Sequence, residues 1–168
     1  MGDLINCGSG QRKFQPPWIN VDINPRWEPD ILGDVKSIPQ LEDNCAATVV
    51  FHHSIEHLTL TDSAAAFKEA HRLLRPGGSM IVCVPNLRAL VDAWREGRID
   101  DYIFCVNLHG AYMNDEADLH RWSFTYSTLK KHIENAAKWR RIDFFNNRPI
   151  AGADIAQDWW ILSVEAVK

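Results

Sequence analysis

Three short stretches near the start of the chain carry residue types that together suit a nucleoside ligand. Leu4-Ile5-Asn6-Cys7 runs into the glycine turn Gly8-Ser9-Gly10, where missing Cβ atoms let backbone N–H groups approach a bound molecule. Asp22 ends the next apolar run, Trp18-Ile19-Asn20-Val21-Asp22-Ile23, and a carboxylate there can accept both hydrogens of a ribose diol. Asp34 closes a third run, Asp30-Ile31-Leu32-Gly33-Asp34, where it can accept a hydrogen bond from an adenine amino group. A lone glycine pair describes an ordinary tight turn equally well, and single aspartates often do no more than cap. Three consecutive strand ends bearing GxG, Asp and Asp favour a nucleoside site, since ligands of open α/β sheets bind beyond the carboxyl ends of strands.

A second set of residues could move a proton. Histidine suits that task because its ordinary pKa is about 6.5, and His53, His57, His109 and His120 fall where the mouth of such a site is expected, with Tyr112 as a positioning group. Each has a blander reading as a surface or supporting histidine. His53 and His57 stand four apart with Glu56 between them, but this is not His-Glu-x-x-His and no third ligand is evident, so no metal is expected. Glu56 and His57 read instead as the start of a helix, where a carboxylate favours the N-terminal dipole. Lys130, Lys131, Lys138, Arg140, Arg141 and Arg148 form a basic cluster interrupted by Glu134 and Asp143, which reads as a solvated face rather than a nucleic-acid track. Tyr102, Phe104, Tyr112, Trp122 and Phe124 could wall a pocket or pin a loop.

The elements that must position these residues are those of an α/β domain. Ala47–Phe51 and Met80–Val84, the latter closed by Pro85, are near-continuous apolar runs, as strands covered on both faces should be. Between them lies a helix with Phe67, Ala70, Leu73 and Leu74 at helical spacing, Thr61 and Asp62 offered as its cap and Pro76-Gly77-Gly78 as its end. Strand, helix and strand make a right-handed parallel unit. The first crossover is reduced: only Cys7 to Pro17 separate Asn6 from Trp18, where a parallel crossover normally needs about a dozen residues or more. One face near the first two strands is then thinly covered, to be closed by Phe14, Trp18 and Trp27 or by a second subunit in a homodimer. Further on, a helix is expected over 86–98, a loop or lid over 99–124, and a helix over Ser127–Ala137. Strands at Arg141–Asn146 and Trp159–Val167 should pair antiparallel at a sheet edge, with Trp159 and Trp160 on opposite faces. The expected architecture is a Rossmann-like, mainly parallel sheet of about seven strands with helices on both faces, a single domain over 1–168 in which 86–124 forms the acceptor-side lid.

Composition narrows the partners. The 18 basic and 22 acidic side chains give a net charge of −4, so no global field draws in nucleic acid or anionic membrane. The longest apolar run, Met80–Val84, is far short of the roughly 20 residues of a membrane span, and no leader-like segment is apparent. Cys7, Cys45, Cys83 and Cys105 show no close pairing, which fits reduced thiols in a cytoplasmic protein. A small-molecule substrate is expected.

Several of these motifs resemble those of class I S-adenosylmethionine-dependent methyltransferases. Ile5-Asn6-Cys7-Gly8-Ser9-Gly10 looks like the family's first motif in the branch reading Leu-Asn-Leu-Gly-Cys-Gly, and Trp18-Ile19-Asn20-Val21-Asp22 matches that branch's Trp-x-Asn-Val-Asp. His53-Ser54-Ile55-Glu56-His57-Leu58 resembles His-x-x-Glu-His-Leu, and Leu73-Leu74-Arg75-Pro76-Gly77-Gly78 the turn before the fifth strand. The resemblance implies S-adenosyl-L-methionine as cofactor. Asn6, Cys7, Gly8, Ser9 and Gly10 would line its methionine part, Asp22 would hold the ribose with Ile23 beside the adenine, Asp34 and Val35 would read the adenine edge, and His52 and His53 would cover the cofactor. His53, His109, His120 and Tyr112 would serve the acceptor. The acidic residue frequent in the first motif is Asn6 here and the branch's cysteine is Ser9, so the motif supplies no charge. Two rivals stay open: a nicotinamide-dependent dehydrogenase, which would want a third glycine where Lys13 stands, and a non-catalytic adenosyl-cofactor-binding protein of the same fold.

Overall fold

The apolar runs form the middle of a seven-stranded sheet of order β3-β2-β1-β4-β5-β7-β6. The computed structural model describes residues 3–111, 116–145 and 158–168. β1 (Leu4–Cys7) lies between β2 (Trp18–Asp22) and β4 (Ala46–His52), β3 (Ile31–Leu32) extends one edge, and β5 (Leu74–Pro85) follows β4, all parallel. β6 (Arg141–Phe144) and β7 (Ile161–Val167) close the other edge, β7 running antiparallel to both β5 and β6. The fold is the mainly parallel, Rossmann-like sheet expected, with the final pair antiparallel. No helix among the described residues is long and apolar enough to cross a membrane.

One face carries the main core. α1 (Leu60–Leu73) and α4 (Tyr126–Ala136) set Phe67, Ala70, Leu73, Leu129 and Ile133 against Val49, Phe51, Met80, Val82 and Val164; each large side chain so buried contributes about 1.5–3 kcal/mol. The cap of α1 differs from the sequence reading. Thr59, not Thr61 or Asp62, accepts the Asp62 N–H at 3.1 Å, because Asp62 sits inside the first turn, where its carboxylate takes the Lys36 ammonium at 3.1 Å. The helix stops at Leu73; a proline at 76 disfavours helical backbone in the residue before it.

The opposite face has a smaller cluster of Phe14, Trp18, Val50, Ile81, Cys83 and Ile161. Phe14 and Trp18 meet edge to face at 5.0 Å, so these two residues close the thin region, while Trp27 lies half-buried beneath the Arg26 guanidinium. Residues 8–17 contain no helix, confirming the reduced crossover. Asn20 holds that segment instead: its Oδ1 accepts from Phe14 N at 2.8 Å and from Asn6 Nδ2 at 3.0 Å, and its Nδ2 donates to Phe14 O and Asp30 Oδ2. Arg72 does the same for the helix-free stretch 33–45, donating to the Ile38 and Leu41 carbonyls and to Asp43 and Glu69.

The segment after β5 is more ordered than its sequence suggests. α2 (Leu87–Arg95) is followed by α3 (Asp101–His109) within the expected loop. Asp100 caps α3 by accepting from Ile103 N, and Trp94 stacks on Phe104 at 5.1 Å while donating to Asp101. None of the residues of α3 is buried, so no apolar stripe marks it in the sequence. Trp159 and Trp160 precede β7 rather than lying within it: Trp159 is half-exposed under Arg98, and Trp160 packs on His53. We expect Asn20→Ala to lower stability by about 2–3 kcal/mol, since it strands several buried partners; urea unfolding with an unchanged midpoint would contradict the clamp.

Candidate functional site

The carboxyl ends of β1, β2 and β4 meet in one place. Gly8 N and Ser9 N both donate to Val21 O, at 2.8 and 3.1 Å, and Gly10 N donates to Asp22 Oδ2 at 2.7 Å. The turn is therefore bonded onto β2, and these three N–H groups do not point to a ligand as the glycine spacing suggested. The carbonyls of Cys7 and Ser9 are taken as well, by Ser54 Oγ and Arg12 N. Gly8 has φ +70°, and a Cβ there would lie 2.5 Å from Ser54 Cβ, so glycine is required where β1 and β4 turn past one another. Ser54 Oγ donates to Cys7 O at 3.0 Å and fixes that approach. Cys7 itself is a core thiol, its pKa pushed far up by burial.

Asp22 is buried, with its second oxygen on Asn24 N at 2.9 Å. Two backbone bonds still leave lone pairs on the carboxylate. Ile23, next along, is 65% exposed, an apolar ledge beside Asp22. Asp34 lies further out, where its Oδ1 accepts Lys36 N and its carboxylate pairs with the Lys36 ammonium at 3.4 Å. Val35 differs from expectation: its side chain belongs to the main core, so only its backbone is available to a ligand. Asn6 is also committed, with Nδ2 bonded to Asn20 and Arg12 O.

The end of β4 is polar and only partly satisfied. His52 and His53 meet edge to face at 4.7 Å, and His53, at φ +52°, lies against Trp160 at 5.4 Å. His53 Nδ1 bonds Glu56 Oε1 at 3.1 Å. Glu56 and His57 do not begin α1; they form a separate short turn, Ile55–His57, that buries Glu56 completely. Burial opposes ionisation of Glu56, but the His53 hydrogen bond and the charges of His53 and His57 outweigh it and hold the carboxyl below its ordinary range. Among the described residues, three buried side-chain atoms have no hydrogen-bond partner: Ser9 Oγ, His52 Nε2 and Glu56 Oε2. Buried polar atoms are rarely left so without a ligand or water to meet them; Ser9 lies within the glycine turn and His52 ends β4, packed against Phe14 and His53. The residues present fit an adenosyl group with an amino-acid tail.

His120 is drawn to the same end of the sheet. Arg121 N and Trp122 N donate to Glu56 O at 2.7 and 3.2 Å, and the His120 ring lies 4.9 Å from that of His57. His109 is exposed at the end of α3, its carbonyl bonded to His120 N. Tyr112 lies outside the described residues. Sequence reasoning passed over Asn20, Glu56 and Trp160 as site-forming residues. Only Glu56 left a signal, as an acidic residue between two histidines.

A family model described as a methyltransferase domain matches residues 11–82. No curated protein sequence matches the chain. Among solved structures, a SAM-dependent methyltransferase from Thermotoga maritima aligns with a TM-score of 0.63 at 16% identity, over 100% of this chain and 83% of that one. One from Archaeoglobus fulgidus gives 0.62 at 16% identity over 98% and 85%, and one from Methanosarcina mazei 0.62 at 15% over 100% and 93%. At such identities the likeness is one of fold. The stretch from β2 into β5 is similar to a methyltransferase domain, and the chain as a whole shares the fold of these enzymes. The dehydrogenase alternative also loses its footing in the geometry, for no helix follows the glycine turn to receive a dinucleotide pyrophosphate.

His52 gives this site a pH signature. Burial, with His53 and Arg12 adding to it, lowers its pKa to about 4. Between pH 6.5 and 4 the unfolded chain binds this proton and the folded chain does not, so stability falls as pH drops through that window. The His52 share is at most about 3 kcal/mol, and His71, His120 and His132, also lowered by burial, act in the same direction. We expect His52→Asn to flatten the fall in urea midpoint between pH 7 and 4.5; a curve parallel to the parent's would contradict the assignment.

Proposed function

We propose that the chain methylates a hydroxyl group of a small, sugar-like metabolite, with the cofactor held across the ends of β1, β2 and β4. When bound, S-adenosylmethionine supplies the activated methyl group and the leaving thioether. Asp22 binds the ribose diol through its free lone pairs, and Ile23 supports the adenine. Asp34, beside Lys36, and the Val35 backbone meet the adenine edge. Asn6, Cys7, Gly8, Ser9 and Gly10 line the methionine part, where the unpartnered Ser9 hydroxyl suits an ammonium group. His52 and His53 close over it, and residues 86–124 form the acceptor side.

The observation that carries the hydroxyl reading is the pairing of His53 with buried Glu56. A carboxylate on Nδ1 fixes the tautomer and leaves Nε2 as the base, the arrangement that lets imidazole take a proton from a hydroxyl. An acceptor that is already a free amine or thiolate needs no such base. His120 and His109, with Tyr112, complete the acceptor side. A small acceptor is supported by the basic cluster being neutralised at several points: Lys130 pairs with Glu134, and Arg141 with Asp143 and Glu165.

Two measurements test this. Asp22→Ala should weaken S-adenosylhomocysteine binding at least about 100-fold by calorimetry, the loss of charged hydrogen bonds to a diol; unchanged affinity would remove Asp22 from the site. Screened against hydroxylated metabolites with isotopically labelled cofactor, the parent should incorporate label and His53→Gln should lose about 100-fold or more in kcat at saturating cofactor. Labelling confined to amine or peptide acceptors would overturn the hydroxyl reading.

A further inference from the structure

We propose that Glu56, His57 and His120 form a site for a divalent transition cation of the zinc class. Each residue offers one ligand atom, and the three atoms lie within 4.8 Å of one another. Tetrahedral ligands about 2.0–2.1 Å from zinc stand about 3.4 Å apart, so small side-chain rotations close the set. Both imidazoles are already oriented. His57 Nδ1 sits 3.3 Å from Leu119 O, and His120 Nδ1 2.9 Å from Asn107 O. A carbonyl can only accept, so each Nδ1 carries the proton and each Nε2 keeps its lone pair. Metal-binding histidines are typically held this way, the second nitrogen donating to a carbonyl or carboxylate. Neither Nε2 has a hydrogen-bond partner among the described residues.

The carboxylate is the independent observation. Glu56 is 1% exposed, its Oε1 occupied by His53, and its Oε2 is buried without a partner. A fully buried carboxylate with one unpartnered oxygen, set within 4.8 Å of a ring nitrogen of each of two histidines, is an arrangement that a cation completes. Glu56 and His120 also line a cavity of about 10 Å³ with Asn107 and Trp122, room for one water-sized body. Two imidazoles and one carboxylate suit zinc, cobalt, nickel or iron, whereas magnesium and calcium favour all-oxygen sets. The backbone bonds from Arg121 and Trp122 to Glu56 O hold the two contributing segments together.

Three protein ligands leave a coordination position open. Resting on the hydroxyl-methylation reading, that position takes the acceptor oxygen, and the cation lowers the hydroxyl's pKa while His53 receives its proton. The cation site itself does not depend on that reading, and it is tested without cofactor or acceptor. The full chain, freed of metal with a chelator, is titrated with Co²⁺ alone and followed by visible absorption, with Zn²⁺ competition by calorimetry. One equivalent should bind, giving d–d bands that Zn²⁺ abolishes. His57→Ala and His120→Ala, shown folded by circular dichroism, should each weaken Co²⁺ at least about 100-fold, and Glu56→Gln should do likewise, while His71→Ala binds as the parent does. Failure to bind either ion, equal binding by the His57 and His120 variants, or preference for Mg²⁺ overturns the proposal.

Discussion

The carboxamide of Asn20 is the contact on which the N-terminal half depends. In a parallel sheet the connection between neighbouring strands is ordinarily a helix that packs back on the sheet. Here residues 8–17 make that connection without one, and a single side chain gives both its donor and acceptor groups to the loop and to Asp30. Asn20 is itself in β2, so the loop is referenced directly to the strand that ends in Asp22. Because Gly8 N and Ser9 N also bond Val21 O, the glycine turn cannot move relative to Asp22 without breaking bonds on both sides. Arg72 answers the same problem for residues 33–45. Local rigidity in these two loops comes from branched hydrogen-bonding groups rather than from secondary structure.

Two carboxylates show how burial is used differently a short distance apart. Asp22 spends one lone pair of each oxygen on backbone N–H groups, which keeps it oriented. Glu56 is more deeply buried and has one oxygen with no partner. The first is a settled anchor; the second is a group whose surroundings are incomplete until something positive arrives. The cluster of His52, His53, His57 and His120 at the same end of the sheet is consistent with that imbalance.

Much of the architecture was legible because strands buried on both faces must be apolar along their length. Val49–Phe51 and Met80–Val84 announced the central pair, and the short spacing from Asn6 to Trp18 announced the missing helix. What could not be read lay where long-range contacts decide. α3 buries nothing, so it leaves no periodic stripe. Glu56 and His57 carry the signature of a helix start, yet Thr59 takes the cap and shifts α1 downstream. A third partner for Glu56 and His57 was not apparent from spacing alone, since His120 reaches them through backbone bonds from Arg121 and Trp122. Val35 and Asn6 were assigned by motif position, whereas the packing turns one into the core and binds the other to Asn20.

The position of β1 between β2 and β4 bears on how the chain is made. Leu4 pairs with Thr48, a separation of 48 − 4 = 44 residues, so the β1 side of the β1–β2 pair has no strand partner until β4 emerges. At translation rates of about 5–20 residues per second, the 48 − 22 = 26 residues from the end of β2 to Thr48 leave that edge waiting on the order of 1–5 s. Long-range parallel pairing is intrinsically slow and prone to association with other chains. Protein yield in a heterologous host should therefore respond to growth temperature and to chaperone supply more through this nascent edge than through the stability of the finished sheet.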